Sequence, residues 1–287
     1  MPENSEINPF KIPVLKYDDN CQLTQIDLST SVISRFIHNG EKLDYCPKKN
    51  YETVITKKYW QPPTEKMLEG LFLEQALIGR SNSDDVVDDL PRDKRNGNKK
   101  TAQIRLEKHI ADWDNIKEQH GIIVTDTNVQ VKHKLKWEND YFDNVYIGGT
   151  ADLISPFKGD VWWHDKFISV DYEMAIIDIK KTDNLINTFG DYCWGDYDNM
   201  DKFQLVLYAR IFGLPTLYYV FDTTKELRRK AYHVPIDDSE GLMLYKECEQ
   251  TIDKMIQIIL FYEKNGWVTN PSQRNCKNCP VNCESKF

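Results

Sequence analysis

The chain has 287 residues, a net charge of −8, 40% hydrophobic and 12% aromatic residues. That balance supports a substantial folded core and excludes both a disordered chain and a generally basic nucleic-acid coat. No apolar run reaches the roughly 20 residues that cross a bilayer, since the greasiest stretch, MIQIILFY at 255–262, is short and sits among charges.

Residues 1–27 read as an irregular lead-in, without the basic start and apolar segment of a signal peptide. An apolar repeat at Val32, Ile33, Phe36 and Ile37 predicts a helix over 27–40, ended by Asn39-Gly40. A second helix is expected over 64–79, capped by Thr64 and stopped near Gly79. Residues 80–100, rich in charge, Asn and Ser, read as a mobile loop. A third helix is expected over 101–121. Strict alternation follows, with Val129, Val131, His133, Leu135 and Trp137 interleaved with Gln130, Lys132, Lys134, Lys136 and Glu138, which predicts a half-exposed strand. Strands are expected over 145–155, 174–181, 215–222 and 228–235, with helices over 199–212 and 239–264. The order predicts one α/β domain over 1–287, with a mixed central sheet flanked by helices and no internal repeat or clean linker.

Charged residues inside strand patterns need a partner, a metal or a substrate, because an unpaired buried charge is costly. In AIIDIKKT (175–182), alternation places Ala175, Ile177 and Ile179 on one face and Ile176, Asp178 and Lys180 on the other. In VYIGGTADLI (145–154), parity sends Val145, Ile147, Ala151 and Leu153 one way, and Thr150 and Asp152 the other. With the strands as neighbours, Asp152, Asp178 and Lys180 converge. Two carboxylates suit a hard divalent cation such as Mg²⁺. A lysine beside them can orient or deprotonate an attacking water and stabilise charge on a phosphate. These are the parts of phosphodiester hydrolysis; the plainer alternative is a structural ion pair between Asp178 and Lys180. Further on, DKFQLVLYARIFG (201–213) puts Gln204 and Tyr208 on one face of an apolar helix, where the glutamine needs hydrogen-bond partners. Upstream, EGLFLEQ (69–75) sets Glu74 on a helix, with Gly70 expected to permit close packing and with Glu69 and Glu65 as competing carboxylates.

Taken in order, the helical G-x-x-x-(H/E) at 70–74, G-x-x-D at 149–152, D-x-K at 178–180 and Q-x-x-x-Y at 204–208 resemble the PD-(D/E)xK nuclease superfamily, in particular its RecB-like exonuclease branch. The resemblance implies a restriction-endonuclease-like core. It also implies that Asp152, Asp178 and Glu74 bind Mg²⁺ or Mn²⁺, that Lys180 acts on the nucleophilic water, and that Gln204 and Tyr208 support the site or touch DNA. Glu74 stands where many RecB-like members carry histidine. The implied activity is exonucleolytic cleavage of single-stranded DNA or DNA ends, in repair, recombination or phage- or CRISPR-type processing, with DNA and a helicase or recombination protein as partners. The alternatives are a phage-type recombination exonuclease on duplex ends and a catalytically silent DNA-binding subunit.

Seven cysteines, an odd number with three crowded at the end of the chain, make a poor disulfide framework. Metal ligation fits Cys276, Cys279 and Cys283 better, and an intracellular, cytoplasmic protein without membrane association is expected. With Cys46 upstream, the set resembles the iron–sulfur subset of RecB-like nucleases, AddB-type and CRISPR adaptation nucleases, which implies a 4Fe–4S cluster held by Cys46, Cys276, Cys279 and Cys283. The last spacing is shorter than in those relatives. Four thiolates also suit Zn²⁺, Cys248 and Cys21 are alternative fourth ligands, and Cys193 reads as a bystander. The cluster would join residues 28–60 to 265–287 as a staple.

Between Arg92 and Lys108 seven basic residues face two acidic ones. Lys94, Arg95, Lys99, Lys100 and Arg105, with Lys132, Lys134 and Lys136 on the strand, are the candidate phosphate contacts; exposed strand lysines also discourage edge pairing. Trp162, Trp163, Tyr192, Trp194 and Tyr197 are candidates for stacking on bases, with core packing as the plainer use.

Overall fold

The computed structural model describes residues 14–38, 41–42, 46–59, 63–79, 87, 90–189, 193–234, 239–270 and 281. In chain order its elements are β1 (Leu15–Tyr17), β2 (Leu23–Leu28), α1 (Thr30–Ile33), β3 (Ile37–His38), β4 (Glu41–Lys42), α2 (Pro47–Asn50), a π-helical turn (Tyr51–Ile55), α3 (Glu65–Ile78), α4 (Thr101–Ala111), α5 (Trp113–His120), β5 (Val129–Trp137), β6 (Val145–Trp163), β7 (Lys166–Thr182), α6 (Phe203–Phe212), β8 (Thr216–Asp222), β9 (Arg229–Val234) and α7 (Ser239–Asn265). Two compact units interleave along the chain. The first takes Met1–Pro62, Lys134–Gly148 and Glu247–Phe287, and the second takes Pro63–His133 and Gly149–Lys246. No helix among the described residues is long and apolar enough to cross a membrane.

In the second unit β6 and β7 pair antiparallel, β7 and β8 parallel, and β8 and β9 antiparallel. A single parallel bridge between Trp162 and Tyr232 returns the end of β6 to β9. Helices flank this mixed sheet. Leu73 and Leu77 of α3, Leu106 of α4, and Trp113 and Ile116 of α5 share one buried cluster with Ala175, Ile177, Ile179, Leu217, Tyr219 and Phe221. Tyr208 of α6 belongs to a second cluster with Ala151, Ile154 and Ile176. β8 is buried along its whole length, as a strand covered on both faces must be.

Local chemistry explains where the elements stop. Thr64 caps α3 by accepting a hydrogen bond from the Met67 amide at 3.3 Å, and Gly79 ends it in a left-handed conformation with φ of 66°. The helix expected over 101–121 breaks at Asp112, whose φ of −94° and ψ of 0° redirect the chain so that both Leu106 and Trp113 bury. The strands expected over 145–155 and 174–181 are the ends of one long hairpin, β6 and β7, whose register shifts between Ser155 and Phe157. Pro156 sits at that shift, where its missing amide costs no ladder bond.

The helix expected over 27–40 does not form. Residues 23–28 are committed to β2, which pairs antiparallel with β1 and parallel with Val145–Ile147 of β6, burying Ile26 and Leu28. One helical turn remains at α1, and Ile37 belongs to β3. The first unit also packs Trp267 between two rings, Tyr51 at 4.9 Å and Tyr262 at 5.0 Å, both stacked, with Phe36 edge-on at 6.2 Å. The Trp267 indole donates to Glu263 at 2.7 Å, and the Lys48 amide donates to the Val268 carbonyl at 3.0 Å.

Two stacked aromatic pairs are worth about 1–3 kcal/mol together. Trp267→Ala also removes the buried area of the ring and is therefore expected to lower the unfolding free energy of the protein by more than that amount, up to about 5 kcal/mol, read as a shift in denaturant midpoint with little change in slope.

Candidate active site

Asp178 lies on β7 with 1% of its surface exposed, on the α6 side of the sheet and opposite Tyr218 of β8. Its Oδ1 accepts a hydrogen bond from Gln204 Nε2 at 2.8 Å, and the same amide reaches the Tyr208 hydroxyl at 3.0 Å. Its Oδ2 is ion-paired with the Lys180 ammonium. Burial pushes the Asp178 carboxyl up, the Lys180 charge opposes this, the Asp152 charge adds to it, and the result is about 7. For Lys180, burial favours the neutral amine, but Asp178 and Asp152 outweigh it and hold the pKa above its ordinary value. The Lys180 ammonium also lies 5.4 Å from the centre of the Tyr218 ring. Burial, aided by the Asp178 charge, raises Tyr208 to about 12.

Asp152 of β6 reaches the same place from the neighbouring strand. The register pairs Leu153 with Ile177, and Asp152 Oδ2 accepts the Ile179 amide at 2.9 Å. Its Oδ1 accepts from Gln130 Nε2 at 3.3 Å, and that amide also donates to Glu74 Oε1 of α3 at 2.6 Å. The structure thus brings together Glu74, Asp152, Asp178, Lys180, Gln204 and Tyr208, all within the second unit. Ala151 and Leu153, expected on one face, enter different clusters.

The competing carboxylates go elsewhere. Glu69 pairs with Lys181, which also meets Asp183 at 2.5 Å, and Glu65 pairs with Lys100. Alternation explains this, because Lys180 and Lys181 leave β7 on opposite faces. Gly70 is not there for close packing, as a Cβ on it would meet nothing within 4 Å. Gly149 is the glycine under constraint. A Cβ there would stand 2.9 Å from the Tyr208 ring and 3.4 Å from Ile211, so its bare backbone lets Tyr208 lie over β6.

Gln130 was not distinguishable in the sequence, where alternation groups it with the outward lysines of β5. Its φ of 49° turns it out of that pattern.

Among the described residues no three His, Cys, Asp or Glu side chains stand ready as a metal site. The donor chemistry, three carboxylates from α3, β6 and β7, nevertheless suits a hard divalent cation. Cys46 is buried, and its thiol accepts the Asn270 amide at 3.4 Å; Cys276, Cys279 and Cys283 lie outside the described residues. Cys248 is buried, Cys21 is exposed, and Cys193 is buried and donates to the Asn199 carbonyl at 2.8 Å.

Of the basic residues, Lys94, Lys132 and Lys136 are exposed. Arg95 pairs with Asp93 at 2.9 Å, Lys99 with Glu107 at 2.6 Å, and Lys134 with Asp27 at 2.5 Å. Arg105 donates to the Thr223 carbonyl at 2.5 Å, inside the fold. Trp194 and Tyr197 are core residues, 5% and 2% exposed, and are not available for base stacking. Tyr192 lies outside the described residues, and Trp162 and Trp163 belong to β6.

Gly149→Ala is expected to push the Tyr208 ring off β6 at a cost of about 1–3 kcal/mol, measured by equilibrium unfolding. A pH experiment addresses the other face of β7. Burial pushes the Asp183 carboxyl up, but hydrogen bonds from Lys181 and Lys66 outweigh it and leave it at about 2. A depressed carboxyl stabilises the fold above its unfolded pKa and loses that contribution as pH falls through its folded one. The stability gap between wild type and Asp183→Asn should therefore be constant near neutrality and shrink from about pH 4 towards about pH 2; a gap constant across that range would show that the Lys66–Asp183–Lys181 contacts do not govern this group.

No family model and no curated protein matches the chain. Among solved structures, a crystal structure from Eubacterium rectale named "Putative exonuclease" superposes with a TM-score of 0.51 over 88% of this chain and 85% of that one, at 15% identity. At that identity the likeness is one of fold. The chain has a mixed α/β fold whose central mixed sheet, flanked by helices, fits a restriction-endonuclease-like core.

Proposed function

We propose that the chain is a divalent-metal-dependent DNA exonuclease of RecB-like type, acting on single strands or DNA ends. The observation that carries this reading is the meeting of Asp152, Asp178 and Lys180 in one place, with Gln204 holding Asp178 from α6. An ion pair alone would not need Glu74 and Gln130 at its side. The solved neighbour bears an exonuclease name and supports a nuclease role in general terms.

Glu74, Asp152 and Asp178 would hold Mg²⁺ or Mn²⁺, which supplies Lewis-acid activation of a phosphodiester and of water when bound. The remaining work falls to side chains of the chain itself. Lys180, charged at neutral pH, places a cation where negative charge gathers on the phosphate and orients the attacking water. Gln204 fixes the Asp178 carboxylate, and Tyr208 fixes Gln204. Lys94, Arg95, Lys99, Lys100, Lys132, Lys134 and Lys136 are assigned to phosphate contacts, while Arg105 is assigned to the fold through Thr223. A 4Fe–4S cluster, or Zn²⁺ in its place, is assigned to Cys46, Cys276, Cys279 and Cys283. The seating of Cys46 against Asn270, six residues before Cys276, supports that grouping.

End-labelled single- and double-stranded DNA, incubated with anaerobically purified protein in Mg²⁺, Mn²⁺ or EDTA, tests the reading. Cleavage is expected with metal only, and Asp178→Ala and Lys180→Ala should each lose at least about 10²-fold in rate. Folded, metal-loaded protein that binds DNA without cutting it would instead identify a silent binding subunit.

A further inference from the structure

Gln130 belongs to none of the motifs above, yet its side chain joins Glu74 to Asp152. It is the second residue of β5, and its φ of 49° lies in the left-handed region that glycine and asparagine enter at least cost. That conformation turns its side chain out of the alternation shared by Lys132, Lys134 and Lys136. From there its single amide nitrogen donates to Glu74 Oε1 at 2.6 Å and to Asp152 Oδ1 at 3.3 Å. The two carboxylates come from different elements, α3 and β6, and like charges drawn together repel. A neutral donor between them offsets the repulsion without neutralising either one. A lysine in that position would form a permanent ion pair and compete with a cation, and a glutamate would add a third negative charge. Backbone strain in a non-glycine residue persists where the surrounding structure has a use for it. At Gln130 the packing return is small, since the residue is only half-buried.

We propose that Gln130 is the positioning residue that holds Glu74 and Asp152 at the separation at which both serve one divalent cation, a role that rests on the metal-dependent nuclease reading. Gln130 acts through the two carboxylates and is not itself assigned to the reacting atoms. The strained backbone at 130 is retained for the site and not for the fold.

Calorimetric titration with Mn²⁺ of EDTA-treated, dialysed protein tests this, using wild type, Gln130→Gly and Asp178→Ala, with metal-free melting temperatures alongside. Glycine accepts the left-handed backbone and removes the amide, so metal-free Gln130→Gly should melt no lower than wild type. Its Mn²⁺ dissociation constant should nevertheless rise about 10–100-fold, the usual effect of losing a residue that orients metal ligands. In the DNA assay, the Mn²⁺ concentration for half-maximal rate should rise in parallel, while the rate at saturating Mn²⁺ falls less. If Gln130→Gly fails to fold, Gln130→Asn carries the same expectation, because asparagine tolerates the backbone but is one methylene too short to bridge. Mn²⁺ affinity within about twofold of wild type in a variant lacking the bridge, with binding abolished in Asp178→Ala, would overturn the role of Gln130 alone. Wild-type protein that binds no Mn²⁺ would overturn the cation reading and this role together.

Discussion

The burial of one carboxylate, Asp178, is the constraint from which the site follows. A carboxylate with 1% of its surface exposed is tolerated only when charge and hydrogen bonds replace the water it has lost. Lys180 supplies the charge from the same strand, two residues on, and Gln204 supplies the hydrogen bond from α6. Each partner then makes its own demand. Gln204 needs the Tyr208 hydroxyl, and the Tyr208 ring needs a backbone without a side chain beneath it, which is Gly149. A single buried charge therefore fixes α6 against β6 and β7, and the motifs far apart in sequence are successive links in one chain of compensation.

The opposite face of β7 solves the same problem separately. Lys181, with 5% of its side chain exposed, lies between Glu69 and Asp183. Successive lysines thus serve two charge clusters on two sides of one sheet, and each cluster draws a different carboxylate from α3. Glu69 and Glu74 are five residues apart, about 140° around a helix, so one can meet Lys181 while the other meets Gln130. The Glu69–Lys181 pair therefore orients α3 and sends Glu74 towards Asp152. This also explains why Glu69 does not join Asp152 despite its proximity in sequence to Glu74, since its charge is already matched within the fold.

Those parts of the site that depend on fixed periodicities were legible in the sequence. Alternation placed Asp178 with Lys180, the i, i+4 rule placed Gln204 with Tyr208, and Thr64 and Gly79 marked the ends of α3. What depends on tertiary competition was not legible. The apolar repeat at Val32, Ile33, Phe36 and Ile37 fits a helix locally, but the β2 ladder claims the residues that would start it. Pro156 and Gly159 interrupt the apolar pattern, concealing the middle of a hairpin that absorbs the proline at a register shift. Gly70 and Gly149 look alike in sequence, and only the position of Tyr208 separates them. Gln130 was hidden most completely, because a left-handed residue reverses the inference that alternation supports.

The first unit changes the energetic meaning of a cysteine staple. Linking Cys46 directly to Cys276 in an otherwise open chain would close a loop of more than two hundred residues, worth about 5 kcal/mol in the chain-entropy model of a crosslink. That loop is already closed by packing. Trp267 stacks between Tyr51 and Tyr262, the Lys48 amide bonds the Val268 carbonyl, and Cys46 itself touches Asn270. From Asn270 to Cys276 only six residues remain, for which the same model gives about 2 kcal/mol. A metal at the cysteines would therefore add its ligation energy and local order to the end of the chain, while the long-range closure rests on aromatic stacking and a backbone hydrogen bond. Removal of the proposed cysteine-bound metal and loss of Trp267 would consequently be separable injuries, because of the two it is Trp267 that carries the long-range closure.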